Sequence, residues 1–281
     1  MTPERAFRFG RAQHLVGVAG LPPAAHGAVG VIVLNAGLIH RIGPFRLHVE
    51  LTRRLNARGY PTLRLDLSTL GDSGASAEIG SREQQIRADV VDAMALLGRR
   101  AGCTRFVLIG LCRGAQAAHT AACTEAGVAG AVFLDGYIYR TAGFRLRHYL
   151  PRLLSPARWR GFLARKLRQA AEPEEVSFGS VYPPRTQVRR ELAAMLARGL
   201  RFYFVYSGGI GEQFNHPRQF RECYGRAVAG HPAVRMDLLE GTDHTYTLLC
   251  DRERMFDHVE HWLLQTFPAA PAEAAEPALQ V

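Results

Sequence analysis

Short apolar runs and longer one-sided apolar stripes alternate along the chain. Residues 6–20 alternate loosely, with Phe7 and Phe9 followed by Val16 and Val18, and predict a short edge hairpin. Val29–Leu34 is nearly unbroken apolar sequence, the pattern of a strand buried on both faces. Leu47, Leu51 and Leu55 then stripe one side of a helix expected to begin around Pro44 and to close at Gly59. Thr62–Leu67 reads as the next strand. Ser81 and Gln84 have capping-box spacing ahead of a helix striped by Ile86, Val90, Met94 and Leu97. Phe106–Ile109, Ala129–Leu134, Leu200–Tyr206 and Val234–Leu239 read as further strands, with a helix at Pro217–Ala229 and a final one ending near Phe267.

This rhythm predicts an α/β fold with a mostly parallel central sheet flanked by helices. It breaks between Tyr137 and Gly199. There Phe144, Leu146, Leu150, Leu153, Trp159, Phe162, Leu163 and Leu167 interleave with arginines, and Val188, Leu192 and Leu196 mark a second helix. The expected organisation is a core of residues 1–136 and 200–267, an inserted helical cap at 137–199, and a disordered Ala/Pro/Glu tail at 268–281.

Composition changes this picture little. At 281 residues and 47% apolar, the chain is long enough to bury one large core. Its five cysteines (Cys103, Cys112, Cys123, Cys223, Cys250) form no C-x-x-C pair, which argues against a disulfide framework or zinc ribbon and for a reducing cytoplasm. Met1–Arg11 lacks the apolar centre of a signal peptide, and no run reaches membrane-spanning length. The net charge of +10 is almost wholly arginine, Lys166 being the sole lysine. No zinc-finger or aromatic-basic pattern accompanies it, so the charge suits an acidic partner or phosphate-bearing substrate better than nucleic acid.

The chemistry concentrates at Gly110-Leu111-Cys112-Arg113-Gly114, where an apolar strand runs straight into an amphipathic helix. This is the G-x-S-x-G nucleophile-elbow pattern with cysteine in the serine's place. The flanking glycines leave room for a strained turn that lifts the thiol of Cys112 to a helix N-terminus, where the thiolate is favoured. Gly241-Thr242-Asp243-His244-Thr245 follows the last strand, from which His244 can reach back over the sheet edge to take the thiol proton. For the acid that orients His244, Asp135 at the end of its strand ranks ahead of Glu212 in a glycine loop. Asp243, adjacent to the histidine, ranks last. Oxyanion donors are expected at the amide of Arg113 and at Gly37 or Ala36. His258 and His261 make a helical pair without a third ligand, so no metal or organic cofactor is implied.

These stretches together resemble the α/β-hydrolase superfamily over nearly the whole chain, whose order is nucleophile, acid, histidine. Asn35–Pro44 (N-A-G-x-x-H-R-x-G-P), Asp66–Ser73 (D-x-S-x-x-G-D-S), Leu111–Gly114 (L-C-R-G), Asp135–Tyr139 (D-G-Y-x-Y) and Asp243–Thr245 (D-H-T) look like a bacterial subgroup. That subgroup includes hydrolases encoded beside exopolysaccharide, exosortase and secondary-metabolite genes. The resemblance implies an acyl-enzyme hydrolase or acyltransferase with the nucleophile at Cys112 and the base at His244. Two departures stand out: cysteine replaces serine, and no acid directly follows the Leu200–Tyr206 strand.

A thiol nucleophile forms a thioester acyl-enzyme, so exchange with a thioester substrate is nearly thermoneutral while expelling an alkoxide is harder. The expected substrate is therefore a CoA- or carrier-bound acyl thioester. Arg140, Arg145, Arg147, Arg152, Arg158, Arg160, Arg165 and Arg168 of the cap are candidates to meet an acidic carrier protein or CoA phosphates. Phe144, Leu150, Trp159 and Phe162 are candidates for an acyl pocket, and His40, Arg41, Tyr137 and Trp159 for substrate contacts. Ester or lactone hydrolysis and a catalytically idle binding scaffold are the competing readings.

Overall fold

The computed structural model describes residues 2–23, 29–76, 80–153 and 182–268. Eight strands form one sheet: β1 (Glu4–Phe9), β2 (Leu15–Gly20), β3 (Gly30–Leu34), β4 (Thr62–Asp66), β5 (Phe106–Leu111), β6 (Val128–Leu134), β7 (Arg201–Ser207) and β8 (Val234–Leu239). Their order across the sheet is β1-β2-β4-β3-β5-β6-β7-β8. The β1–β2 and β2–β4 pairs are antiparallel and the rest parallel. The hairpin expected at the N-terminal edge is therefore present, and its inner strand β2 continues the ladder onto β4.

Seven α-helices are described: α1 (Leu47–Ala57), α2 (Arg82–Ala101), α3 (Arg113–Ala122), α4 (Ala142–Leu153), α5 (Arg185–Ala197), α6 (Arg218–Ala229) and α7 (Leu249–Thr266). None is long and apolar enough to cross a membrane. Ser81 caps α2 through a complete capping box with Gln84. Helix α1 begins three residues later than Pro44 suggests. Phe45 and Arg46 have φ of 47° and 66°, left-handed values that cannot continue a helix. The turn is pinned from the other end of the chain, where Arg252 Nη1 donates to the Phe45 carbonyl at 3.0 Å.

Successive residues of a strand point to opposite faces, and here both faces are covered. Ile32, Leu34, Leu108, Phe133, Phe202 and Phe204 face a core shared with α2, α3, α5 and α6. Val31, Val33, Val107, Ile109, Val132 and Val205 face α1 and α7 through Leu51, Leu55, Phe256 and Trp262. Within the segment read as a cap, α5 buries Val188, Leu192, Met195 and Leu196 in the first of these cores. The middle of that segment, 154–181, lies outside the described residues, as does the tail from 269.

Register places the site. Leu34 pairs with Gly110, Leu111 with Leu134, Leu134 with Val205 and Ser207 with Leu239. The parallel strands thus end together, and the loops that follow them meet along one edge, as ligand loops do in α/β sheets.

Candidate active site

Cys112 is the first residue beyond β5, with φ 57° and ψ −114° at the N-terminus of α3. Its amide donates to the Leu134 carbonyl at 2.8 Å, which anchors the turn to β6. The flanking glycines are a steric requirement. A Cβ on Gly110 would lie 2.1 Å from the backbone of Gly114, and one on Gly114 would lie 2.5 Å from the carbonyl oxygen of Asn35. Such a left-handed cysteine stores strain on the order of 1–3 kcal/mol.

The half-buried thiol stands next to His244. The imidazole's interaction with it holds its pKa below the ordinary thiol value, helped by the imidazolium charge and the Arg113 amide, against burial and the negative charge of Asp135. The contrast with its neighbours is chemical. Burial alone pushes Cys103 to about 11, and burial is also the main cause that takes Cys123 and Cys223 to about 11. All five cysteines are free thiols.

His244 Nδ1 lies 2.7 Å from Asp135 Oδ2, which leaves Nε2 for the thiol. The hydrogen bond to Asp135, then the one to Cys112, raise His244 to about 10 despite partial burial. Asp135 is 3% exposed and itself left-handed, with φ 47°. Its carboxylate also accepts from the Ser207 amide at 2.7 Å and from Ser207 Oγ at 2.7 Å. Three donors on a buried carboxylate hold it rigidly beneath the imidazole.

The other acid candidates stand elsewhere. Glu212 is exposed, and its carbonyl accepts from Arg140 Nε at 3.1 Å. Asp243 turns back on its own loop, accepting from the amides of Thr245 at 2.8 Å and Thr247 at 2.9 Å.

The loop after β3 is fastened to the loop after β4. Asn35 Nδ2 donates to Asp66 Oδ1 at 2.8 Å, and Asn35 Oδ1 accepts from the Leu67 amide at 2.8 Å. Asp66, fully buried, also accepts from the Arg41 amide at 2.6 Å and the Asp72 amide at 3.1 Å. Gly71 fits over it with φ 50°, where a Cβ would lie 2.4 Å from the carboxylate. This network holds Ala36 and Gly37 beside the elbow. Gly37 has φ 62°, and among the described residues its amide and that of Leu38 have no hydrogen-bond acceptor.

The polar ends of His40 and Arg41 go into the same network. Arg41 Nη1 bonds Asp66 and, at 2.7 Å, Asp72, while His40 Nε2 lies 3.1 Å from Asp72. Both therefore brace the loop.

A cavity of about 670 Å³ opens beside the elbow, lined by Gly37, Arg113, Gln116, Tyr137 and Pro183 among others. Its size suits a small organic ligand. Tyr137 borders it, its ring edge-on to His119 at 5.1 Å. Trp159 and Phe162, along with Arg158, Arg160, Arg165 and Arg168, lie outside the described residues. Phe144 and Leu150 do not line the cavity: Phe144 is 1% exposed and stacks on His148, and Leu150 is exposed. The cavity wall instead mixes apolar side chains such as Leu67, Leu70 and Ile86 with polar ones, including Arg82, Glu83, Arg87, Gln187 and Glu191. Of the other cap arginines, Arg147 is paired with Glu222 at 2.9 Å and Arg145 is exposed.

Two groups of metal-ligating side chains come together among the described residues. In His40, Asp66 and Asp72 the Arg41 guanidinium already bridges both carboxylates. In His119, Cys123 and Glu191 the thiol approaches Nδ1 and the carboxylate approaches Nε2, opposite nitrogens of one ring, which is poor geometry for a single ion. Sequence reasoning did not single out Ser207, Asn35, Asp66 or His119 as site residues. The i, i+4 spacing of His119 and Cys123 on α3 was the one signal available for this wall.

A family model described as the alpha/beta hydrolase family matches residues 24–277. Among solved structures, an esterase of Pyrococcus furiosus aligns at TM-score 0.60 and 15% identity, over 94% of this chain and 91% of its own. A serine hydrolase of Xanthomonas campestris that lacks a lid aligns at TM-score 0.55 and 12% identity, over 96% and 98%. The alpha/beta hydrolase GrgF of a Penicillium species aligns at TM-score 0.59 and 13% identity, over 94% and 99%. At these identities the likeness is one of fold. No curated protein matches the chain in sequence.

Proposed function

Because the chain belongs to the alpha/beta hydrolase family, we propose that it is a cysteine-dependent acyl-transfer enzyme acting on a CoA- or carrier-bound acyl thioester. The supporting observation is the thiol of Cys112, its pKa lowered by a neighbouring His244 whose Nδ1 is held by the buried carboxylate of Asp135. That arrangement favours a thiolate–imidazolium pair, the form of cysteine that attacks.

The Cys112 thiolate adds to the substrate carbonyl, forming the S–C bond as the carbonyl π pair moves to oxygen. The amides of Arg113 and of Gly37 or Ala36 take the developing oxyanion. When the tetrahedral species collapses, the bond to the leaving thiolate breaks and His244 supplies its proton. Neutral His244 then removes a proton from water, or from an amine or alcohol, as that acceptor attacks the acyl-Cys112 carbonyl. Collapse releases the product and restores the pair. Asp135 stabilises the imidazolium and fixes its tautomer throughout. An acidic acyl carrier remains the partner that suits the cap, with Arg140 and Arg145 among its described exposed cations.

Ester or lactone hydrolysis is the second reading, favoured by the esterase among the structural neighbours. Intact-mass analysis after mixing with acyl thioesters of N-acetylcysteamine tests the main one. An acyl adduct that disappears in Cys112→Ala is expected, as is faster turnover of thioesters than of matched oxygen esters. No adduct with any donor, together with no iodoacetamide labelling of Cys112, overturns acyl transfer in favour of a binding scaffold. Faster oxygen-ester turnover, retained in Cys112→Ser, transfers the case to ester hydrolysis.

A further inference from the structure

Along the cavity wall, α3 presents Gln116, His119, Thr120 and Cys123, and α5 faces them with Gln187 and Glu191. The His119 ring is 4% exposed, and its Nε2 has no hydrogen-bond partner among the described residues, an uncommon state for a buried polar atom. Burial holds this imidazole neutral by lowering its pKa to about 4. Cys123 Sγ lies 3.9 Å from Nδ1, and burial keeps that thiol protonated. The thiol therefore donates to Nδ1, and the ring hydrogen of the neutral imidazole belongs on Nε2. Facing it at 3.6 Å, beyond hydrogen-bond range, is Glu191 Oε2, while Oε1 of the same carboxylate is taken by Gln187 Nε2 at 2.9 Å. A buried donor and a carboxylate acceptor thus stand side by side at the cavity, neither satisfying the other.

A hydroxyl is the group that completes such a pair, since it accepts one hydrogen bond and donates another. We propose that His119 and Glu191 form a hydroxyl-binding subsite, so that the acyl chain taken up by Cys112 carries a hydroxyl accepting from His119 Nε2 and donating to Glu191 Oε2. The proposal rests on the reading of Cys112 as the acylated nucleophile. His119 lies seven residues along α3 from Cys112, about 10 Å at the helical rise per residue. The hydroxyl consequently sits far down the chain, remote from the reacting carbonyl. The edge-on ring of Tyr137, 5.1 Å from His119, holds the imidazole in place before substrate arrives.

The test compares omega-hydroxyoctanoyl and octanoyl thioesters of N-acetylcysteamine. Their binding to Cys112→Ala, which cannot be acylated, reads the subsite without the reaction. The hydroxylated thioester is expected to bind about tenfold to a hundredfold more tightly, because the plain chain leaves the buried His119 Nε2 unpaired and forgoes the bond to the Glu191 carboxylate. Adding Glu191→Leu or His119→Phe should bring the ratio near one, and Glu191→Gln, which keeps an acceptor oxygen, should restore part of it. Glu191 is part-exposed, so its variants keep the measurement sound if His119→Phe does not fold. Equal binding of the two thioesters, or a preference unchanged by Glu191→Leu, overturns the subsite. Preferential binding in Cys112→Ala alongside no turnover by the native protein supports the subsite and removes the acyl-transfer reading instead.

Discussion

Replacing Asp135 by asparagine tests the ordering of the site most directly. The carboxylate accepts three hydrogen bonds, from the Ser207 amide, Ser207 Oγ and His244 Nδ1, each at 2.7 Å. An asparagine whose oxygen keeps the Ser207 amide directs its NH2 group at the other two. Ser207 Oγ adapts by rotating its hydroxyl to accept. The imidazole adapts only by turning its lone pair to Nδ1, which puts the ring proton on Nε2 facing the thiol. In that tautomer His244 cannot take the proton of Cys112. A hydrogen bond to a charged group is worth about 1.5–3 kcal/mol, and the half-exposed position of His244 calls for a value discounted for screening. Loss of the one bond plus the tautomer penalty then comes to about 3–4 kcal/mol, or acylation slower by roughly a hundredfold to a thousandfold. Single-turnover release of a coloured thiol from an activated thioester measures it, with a melting curve to show that the fold persists. Acylation within about threefold of the native rate would refute the assignment. So would a larger loss in Glu212→Gln, because Glu212 is exposed and the carboxylate bonded to the ring is that of Asp135.

Cys112 is expected to react with iodoacetamide at a lower pH than an ordinary thiol does, because its pKa is lowered by His244, while Cys103, Cys123 and Cys223 stay protonated to about 11. Peptide mapping across pH checks this, and in His244→Ala the reactivity of Cys112 should shift upward. Acylation should follow a bell, lost on the acid side as the thiolate is protonated and on the basic side as His244 loses its proton near pH 10; a rate still rising above that pH would contradict the ion pair. Gly114→Ala should cost at least about 3 kcal/mol in chemical denaturation, since its Cβ would meet the Asn35 carbonyl oxygen at 2.5 Å. Asp66→Asn should leave the sheet intact but cost about 2–4 kcal/mol and slow acylation, because the loop bearing Gly37 loses its fastening.

What the sequence disclosed follows the range of the interactions involved. The elbow is local: an apolar run, two glycines and a small-residue helix occupy a few consecutive positions, so Cys112 could be singled out from neighbours alone. The position of His244 depended only on chain order. Choosing between Asp135 and Glu212 depended on how β6 lies beside β7, because the Leu134–Val205 register is what brings Ser207 onto the Asp135 carboxylate. Nothing near Ser207 in the sequence announces that contact. The start of α1 was misplaced for a similar reason, the turn at Phe45 being held by Arg252 from α7. The cavity wall was read from the apolar stripe of the cap, yet it is built from α2, α3 and α5, whose polar faces look like ordinary solvent-facing helix surfaces until a second helix stands opposite.

Two of the groups at the site, Cys112 and Asp135, follow the neighbouring strands β5 and β6, whereas His244 comes from far along the chain, after the outermost strand of the parallel edge, β8. Until β8 has zipped onto β7, the sulfur at residue 112 has no imidazole beside it and remains an unremarkable thiol, slow to alkylate or oxidise. With Cys112 as the proposed nucleophile, a chain emerging during synthesis, or one cut short by proteolysis, would thereby be spared a loose reactive thiol. Reactivity and completed folding arrive in the same event.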